Sequence, residues 1–351
     1  MKENNYKYKY ALIDLSYILA RNAYSVFKQN PKCTSGDMIK SLIWTLNKIS
    51  RDYKIEADKF ILVSDKWRDD IGGYYTTYML NGNYKTDRGD GKITKGHGTY
   101  VTPEVYEEMK LDPTITEEDL KAAEEKLRFN TVKQGAKAAI LDDLGRIGIP
   151  SIYLPGWEYD NLAWLATNLL FNKDNPLEQK SILITGDSDL LFSLSPQMDY
   201  FKIPLRGKNP KVITYQEVYD KEMPDALKDK ISLYSLHAML DSLGEGHNMM
   251  TRTKKLGANG KAVVEEIILQ GKMDNVSDPE LFRLQYNTFD ISKYPGYDTA
   301  VSLIRSLPRI GHYGNLEDLH WLLNKHSIKS GISDKYFSDF EKRFNQKLFS
   351  E

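Results

Sequence analysis

The sequence predicts an α/β protein with a mostly parallel central sheet and flanking helices. Three observations predict it. Short apolar runs ending in an acid recur along the first half of the chain, helical patterns separate them, and the chain reads as helical beyond residue 220. Strands alternating with helices imply βαβ units and parallel pairing. The first strand is expected at 8–16 (YKYALIDLS) and the second at 59–65 (KFILVSD). A short third is expected at 150–154 (PSIYL) and a fourth at 181–189 (SILITGDSD). Helical patterns cover 37–53, 116–144 and 159–171. The stretch 67–113 is rich in Gly, Tyr, Lys and Thr and is long for a connection, which marks it as functional or mobile. After residue 220, turn signals at 244–246, 257–260 and 295–296 divide the helices. No internal repeat or low-complexity tract interrupts them.

At 351 residues the chain exceeds the size at which single cores stop growing, so one large α/β unit with a smaller helical appendage is expected. Hydrophobic residues at 41% and charged residues at 28% give an ordinary soluble balance. No apolar run approaches the roughly 18 residues of a membrane helix, and the N-terminus does not read as a signal peptide. A cytoplasmic protein without a membrane partner is expected. The single cysteine, Cys33, excludes an intramolecular disulfide and gives no support to a zinc cluster. A net charge of −1 argues against a uniformly basic nucleic-acid binder, but charge is sorted locally. The runs 202–214 and 251–261 each carry four bases and no acid. Solvated loops also produce such runs.

The chemistry points to acids. An isolated aspartate after a strand is more often a helix cap or turn residue. Here Asp14, Asp65, Asp187 and Asp189 follow three separate strands, on the sheet edge where ligands of open α/β sheets gather. Glu158 and Asp160 join them, because GWEYDNLAW follows the short third strand and opens a helix. Converging carboxylates repel one another unless cations neutralise them, and hard oxygen donors suit Mg²⁺ or Mn²⁺. Two such ions roughly 4 Å apart can activate a water and stabilise the leaving oxygen in phosphodiester hydrolysis.

ALIDLS, ILVSD followed by WR, the YK-x-x-RG pattern at 84–89, WEYDNLA and ITGDSDLLFSL stand in the order found in the 5′-nuclease superfamily, which the chain resembles. That superfamily includes flap endonucleases, the 5′-nuclease domain of bacterial DNA polymerase I and the ribonuclease H of T-even-type phages; the last looks most similar. The strong motifs cover roughly 8–200. The resemblance implies a PIN-like nuclease core at 1–215 with a helical arch about 67–130. It also implies a helical DNA-binding region at 216–351, with a helix-three-turn-helix about 235–270. Asp14, Asp65, Glu158, Asp160 and Asp187 would build a first metal site and share ions with Asp189. Where the family often has a second acid after the one matching Asp160, this chain has Asn161. Lys85 and Arg88 match the bases that grip the scissile phosphate, and Arg68 follows Trp67 in the same region. Tyr74, Tyr75, Tyr78 and Tyr84 either stack on bases or form the arch's small core; Tyr84 is the favoured substrate contact.

In the helical region the family's acidic loop is replaced by LDSLGEGHNMM at 240–250. Asp241 is the candidate outer metal ligand, ahead of Glu245 and His247; a competing match at 273–276 falls in the wrong order. GANGKA at 257–262 resembles the family's glycine turn at a helix start. Lys255, Gly257, Gly260 and Lys261 are therefore candidate contacts to duplex backbone. The terminal FNQKLFSE is faintly like a sliding-clamp peptide, and a frayed helix end is its plainer reading.

The implied function is a 5′→3′ exonuclease and flap endonuclease using two Mg²⁺ or Mn²⁺ ions. It would act on branched DNA, 5′ flaps and RNA–DNA primers in replication or repair, with single-strand-binding protein or a sliding clamp as further partners. The alternatives are a catalytically weak structure-specific DNA-binding protein and a PIN-type ribonuclease; the latter are much shorter.

Overall fold

The computed structural model describes residues 7–55, 57–66, 68, 74–75, 101–170, 180–203, 211–244, 259–306 and 316–328. The chain divides into two compact units, Met1–Ser64 with Gly89–Ile152 and Arg309–Glu351, and Asp65–Arg88 with Tyr153–Pro308. Six strands are present among the described residues, paired mostly in parallel, with helices between them.

In the first unit, β1 (Tyr8–Asp14) pairs in parallel with β2 (Ala57–Val63), bringing Asp14 opposite Val63. β2 pairs in parallel with β3 (Ser151–Ile152). Tyr8, Tyr10, Ala11, Leu12 and Ile13 are all buried, so β1 is covered on both faces and reads as a continuous apolar run rather than an alternating one. The strand ends because Asp14 turns into a helix cap: its Oδ1 accepts the Tyr17 amide at 2.8 Å, opening α1 (Leu15–Gln29). The expected strand 8–16 therefore stops at Asp14.

α2 (Ser35–Arg51) begins with a reciprocal cap between Thr34 and Asp37, and α4 (Glu117–Asp143) with one between Thr116 and Asp119. Each such cap is worth about 1 kcal/mol. Three acids in the first turn of α4 add a favourable interaction with the helix dipole. Between them α3 (Pro103–Leu111) starts with Thr102 as cap and Pro103 in the first turn. α3 and α4 form a helical hairpin whose small core is Val101, Met109 and Ala123, with Val105, Tyr106, Ile115, Leu120 and Leu127 packed against it. This hairpin is the described part of the expected arch; the residues 76–100 lie outside the described residues.

The end of α4 is clamped by α11 (Leu316–Lys325). The buried Asp143 carboxylate receives Lys325 Nζ at 2.9 Å and lies 2.7 Å from His326 Nε2. Arg146 lies over the Trp321 ring at 4.0 Å, and the His326 carbonyl sits so close to Gly36 that a Cβ there would be 2.3 Å from it.

In the second unit, β4 (Ser181–Thr185) pairs in parallel with β5 (Met198–Lys202), and β6 (Lys211–Ile213) runs antiparallel beside β5. The helices are α5 (Tyr159–Leu170), α6 (Tyr215–Glu222), α7 (Leu233–Ser242), α8 (Gly260–Gln270), α9 (Pro279–Asn287) and α10 (Tyr297–Ser306). α10 packs on α5, while α7 packs on α8, on α9 and on the short turn Asp189–Ser193. α7 and α8 fall in the stretch 235–270 where a helix-three-turn-helix is expected, and the link at 245–258 lies outside the described residues.

Burial pushes the Asp143 carboxyl up, but hydrogen bonds from Lys325 and His326 and their charges outweigh it and hold it below the usual aspartate range. A depressed carboxylate stabilises the fold above its unfolded pKa, and that contribution is lost as the pH falls through the depressed value. Asp143→Asn should therefore lower stability at pH 7 by about 1–3 kcal/mol. Measured by denaturant unfolding, the gap from the parent chain should narrow at pH 3; an equal gap at both pH values would contradict this.

Candidate active site

The second unit carries six of the expected acids, and its backbone shows how three chain segments present five of them. Asp65 lies just past β2. The next residue, Lys66, forms a parallel bridge with Pro155, donating its amide to Trp157 O at 3.1 Å and accepting from the Gly156 amide at 2.8 Å. This bridge brings the segment before α5 alongside Asp65. The first helical amide of α5, that of Tyr159, then donates to Asp65 Oδ1 at 2.6 Å. A carboxylate at a helix N-terminus is favoured by the orphan amides and the dipole. Asp65 thus caps a helix 94 residues away in sequence.

Glu158 is buried and Asp160 is exposed at the start of α5. Asn161, which stands where an acid was expected, has a defined part: its side-chain oxygen accepts the Glu158 amide at 3.4 Å. Burial pushes the Tyr74 phenol up, and the charges of Asp65 and Glu158 push it further.

Asp187 is placed by its backbone. Its amide donates to Thr185 Oγ1 at 3.1 Å, and Tyr200 OH donates to its carbonyl at 2.8 Å. Lys202 Nζ donates to Ser188 Oγ at 2.9 Å, fixing the turn between Asp187 and Asp189. Asp189 opens the short turn Asp189–Ser193; its side chain lies outside the described residues.

α7 supplies a polar face that sequence reading identified only in part. Tyr234, His237 and Asp241 are spaced i, i+3, i+7 and so share one side of the helix. Asp241 is buried. Tyr234 packs on Trp164 at 4.4 Å and feels the Asp160 charge; His237 stacks on Phe192 at 4.6 Å and feels the Asp187 charge. The signal that could have found Tyr234 and His237 is this polar spacing inside the otherwise apolar LYSLHAMLDS.

The remaining candidates have these settings. Asp14 belongs to the first unit, where it is buried and caps α1. Arg68 donates to the Tyr75 hydroxyl and stacks 5.5 Å from that ring's centroid. Lys261 donates to Glu222 O at 2.8 Å and pairs with its carboxylate at 3.2 Å, tying the start of α8 to the end of α6. Gly260 is buried at the first position of α8. Lys85, Arg88, Tyr84, Lys255, Gly257, Glu245 and His247 lie outside the described residues.

The donor set is all oxygen, which fits a hard cation such as Mg²⁺ or Mn²⁺. Among the described residues, no group of three or more His, Cys, Asp or Glu is arranged to hold a metal ion. Like-charged carboxylates keep apart on electrostatic grounds, and a cation's field is what draws such groups together.

Burial lowers the His237 pKa from its ordinary 6.5 to about 4, against an opposing pull from Asp187. A histidine buried neutral is protonated in the unfolded chain before it is in the folded one, so stability declines as the pH falls from about 6.5 to about 4. In EDTA, His237→Phe should flatten that part of the stability–pH curve. An unchanged slope would mean that another group sets it.

No protein-family model and no curated protein sequence matches the chain. Solved structures do. The crystal structure of the bacteriophage T5 D15 protein with metal ions superposes at TM-score 0.52 and 16% identity, covering 86% of this chain and 99% of that one. The T5 5′-exonuclease with bound zinc gives 0.46 and 14% over 96% and 98%, and human GEN1 with Holliday junction DNA gives 0.44 and 12% over 98% and 75%. At such identities the likeness is one of fold, and the T5 D15 protein carries it. The chain therefore has the fold of the bacteriophage T5 D15 protein.

Proposed function

We propose that the chain is a metal-dependent, structure-specific 5′-nuclease that hydrolyses phosphodiester bonds at 5′ ends and flaps of DNA. The observation that carries this reading is the delivery of Asp65, Glu158, Asp160, Asp187 and Asp189 by three chain segments of one unit, on a fold shared with a protein crystallised with metal ions. Asp14, Asp65, Glu158, Asp160 and Asp187, with Asp189, would hold divalent ions, and Asp241 would serve as an outer ligand. Bound there, two Mg²⁺ or Mn²⁺ ions supply an activated water and stabilise the leaving oxygen.

The chain's own groups do the rest. Lys85 and Arg88 grip the scissile phosphate, where guanidinium and ammonium groups meet the charge that grows in the transition state. Tyr84 stacks on a base near the cut. Lys255, Gly257, Gly260 and Lys261 meet the duplex backbone at the N-terminus of α8, where amides and the dipole favour a phosphate. In this reading residues 1–215 cut and residues 216–351 hold the duplex. The finer expectations extend it: a role in replication or repair within the cytoplasm, removal of RNA primers, special likeness to the T-even-type ribonuclease H, and contact with single-strand-binding protein or a sliding clamp.

A second reading, a structure-specific DNA-binding protein with little catalysis, is favoured by one observation. Asn161 accepts the Glu158 amide on its side-chain oxygen where the family pattern places another carboxylate, so a metal site here would have one fewer charge.

Cleavage of 5′-labelled flap, nicked and primer–template substrates separates the two. With Mg²⁺ the chain should cut near the branch and lose activity in EDTA. Asp187→Ala should slow the cut by about a thousandfold, the equivalent of several kcal/mol of lost transition-state stabilisation. Tight branch binding without cleavage in Mg²⁺ or Mn²⁺ would favour the second reading.

Duplex binding gives an independent check on the helical region. Lys255→Glu should weaken binding to any duplex sequence and lower the slope of log affinity against log salt by about one. An unaltered slope would remove Lys255 from the interface.

A further inference from the structure

Tyr75 is buried to 3% and sits in a tight nest within the second unit. Its amide donates to Gly156 O at 2.8 Å. Its ring lies so close to Gly156 that a Cβ there would be 2.7 Å from Cε2, and Gly156 has a φ of +83°, which also favours glycine. On another side Tyr294 meets the Tyr75 ring edge-on at 6.1 Å and Trp157 edge-on at 5.4 Å. The Trp157 indole is anchored in turn, donating Nε1–H to Pro295 O at 3.2 Å. Arg68 closes the nest, donating to the Tyr75 hydroxyl and stacking on its ring.

The segment pressed between Tyr75 and Tyr294 is Gly156–Trp157, immediately before Glu158. Gly156 in turn donates its amide to Lys66 O at 2.8 Å, the residue after Asp65. One short element thus braces the backbone next to both Glu158 and Asp65. We propose that Tyr75 is a positioning residue for Asp65 and Glu158, and that Arg68 acts through Tyr75 rather than by gripping a phosphate. The proposal rests on the nuclease reading above. Two carboxylates that must share a cation repel each other until it arrives, so their spacing depends on what holds the backbone behind them. Guanidinium stacking on an aromatic ring needs the flat arginine head, which lysine lacks.

The test measures Mn²⁺ binding to the full chain without DNA, and kcat and KM on flap DNA across a Mg²⁺ series. Arg68→Ala and Tyr75→Phe should each weaken Mn²⁺ binding by about tenfold, as loss of a group supporting metal ligands does. Both should lower kcat and leave KM for DNA unchanged. Arg68→Lys should behave like Arg68→Ala, and Arg68→Ala combined with Tyr75→Phe should be no worse than either alone. The proposal is overturned if Mn²⁺ affinity is unaltered in both single variants. It is equally overturned if Arg68→Lys restores function while Arg68→Ala weakens DNA binding and its salt dependence, since that is the signature of a phosphate contact. Thermal melting of Tyr75→Phe, which keeps the ring, guards against a mere folding defect. If the parent chain binds Mn²⁺ but cuts no substrate, the nuclease reading fails while the Mn²⁺ affinities still decide the positioning role.

Discussion

The hydrogen bond from the Tyr159 amide to Asp65 organises the second unit, because it fixes where a strand end and a helix start meet. Asp65 follows a strand of seven residues, and α5 begins only after the short β3 and the turn at 155–158. The Lys66–Pro155 bridge holds the two backbones parallel for one more step than the strands themselves. From this junction the rest follows: Glu158 and Asp160 sit one residue to either side of the bonded amide, and Asn161 folds back to accept the Glu158 amide. A carboxylate that both caps a helix and belongs to an acidic group is partly neutralised by the helix dipole, which eases the crowding of charge beside it.

Around this junction the second unit uses aromatic rings where a larger protein would use more apolar layers. Trp157, Tyr294, Tyr75, Trp164, Tyr234, Phe192, His237 and Phe289 form two connected groups of edge and stacked contacts. Aromatic pairs contribute roughly 0.5–1.5 kcal/mol beyond the area they bury, and their rigid planes fix direction as well as distance. Tyrosine adds a polar tip that reaches a backbone carbonyl from inside the core: Tyr200 to Asp187, Tyr234 to Phe289 and Tyr294 to Thr288. The same residues that fill the interior therefore pin the backbone at and near the acids.

Much of this was legible in the sequence. The apolar runs of β1, β2 and β4 are buried on both faces and so appear as unbroken hydrophobic stretches, and the helices near 37–53 and 116–144 carry cap residues at their starts. α2 begins two residues earlier than its apolar pattern because Thr34 is the cap and Asp37 its partner. α1 was hidden because Asp14 ends the strand and caps the helix at once, leaving no break between them. β5 and β6 were missed for a different reason: MDYFK mixes charge with aromatics, and β6 is a three-residue edge inside a basic run that reads as loop. α3 emerges from the glycine- and tyrosine-rich stretch only at its end, where Thr102 and Pro103 restart a helix. Of the site, the acids were legible because they follow strands. The parts of Tyr75, Tyr234 and His237 were not, since their partners are set by packing across the unit, and local spacing carries no record of that.

The Asp143 clamp bears on how the chain comes together in time. Its two basic partners stand 182 and 183 residues further along the sequence. During synthesis, α4 is complete long before either exists outside the ribosome, and at about 5–20 residues per second that interval lasts on the order of ten seconds or more. Throughout it the Asp143 carboxylate must stay solvated or find a substitute, so this end of the first unit remains open. The second unit, most of which lies between residues 153 and 308, emerges during the same interval and can fold in full before the first is closed. Closure of the older unit by the younger segment makes α11 the last of the described elements to be placed. The nascent chain would therefore acquire its acidic loops before it acquires its final rigidity.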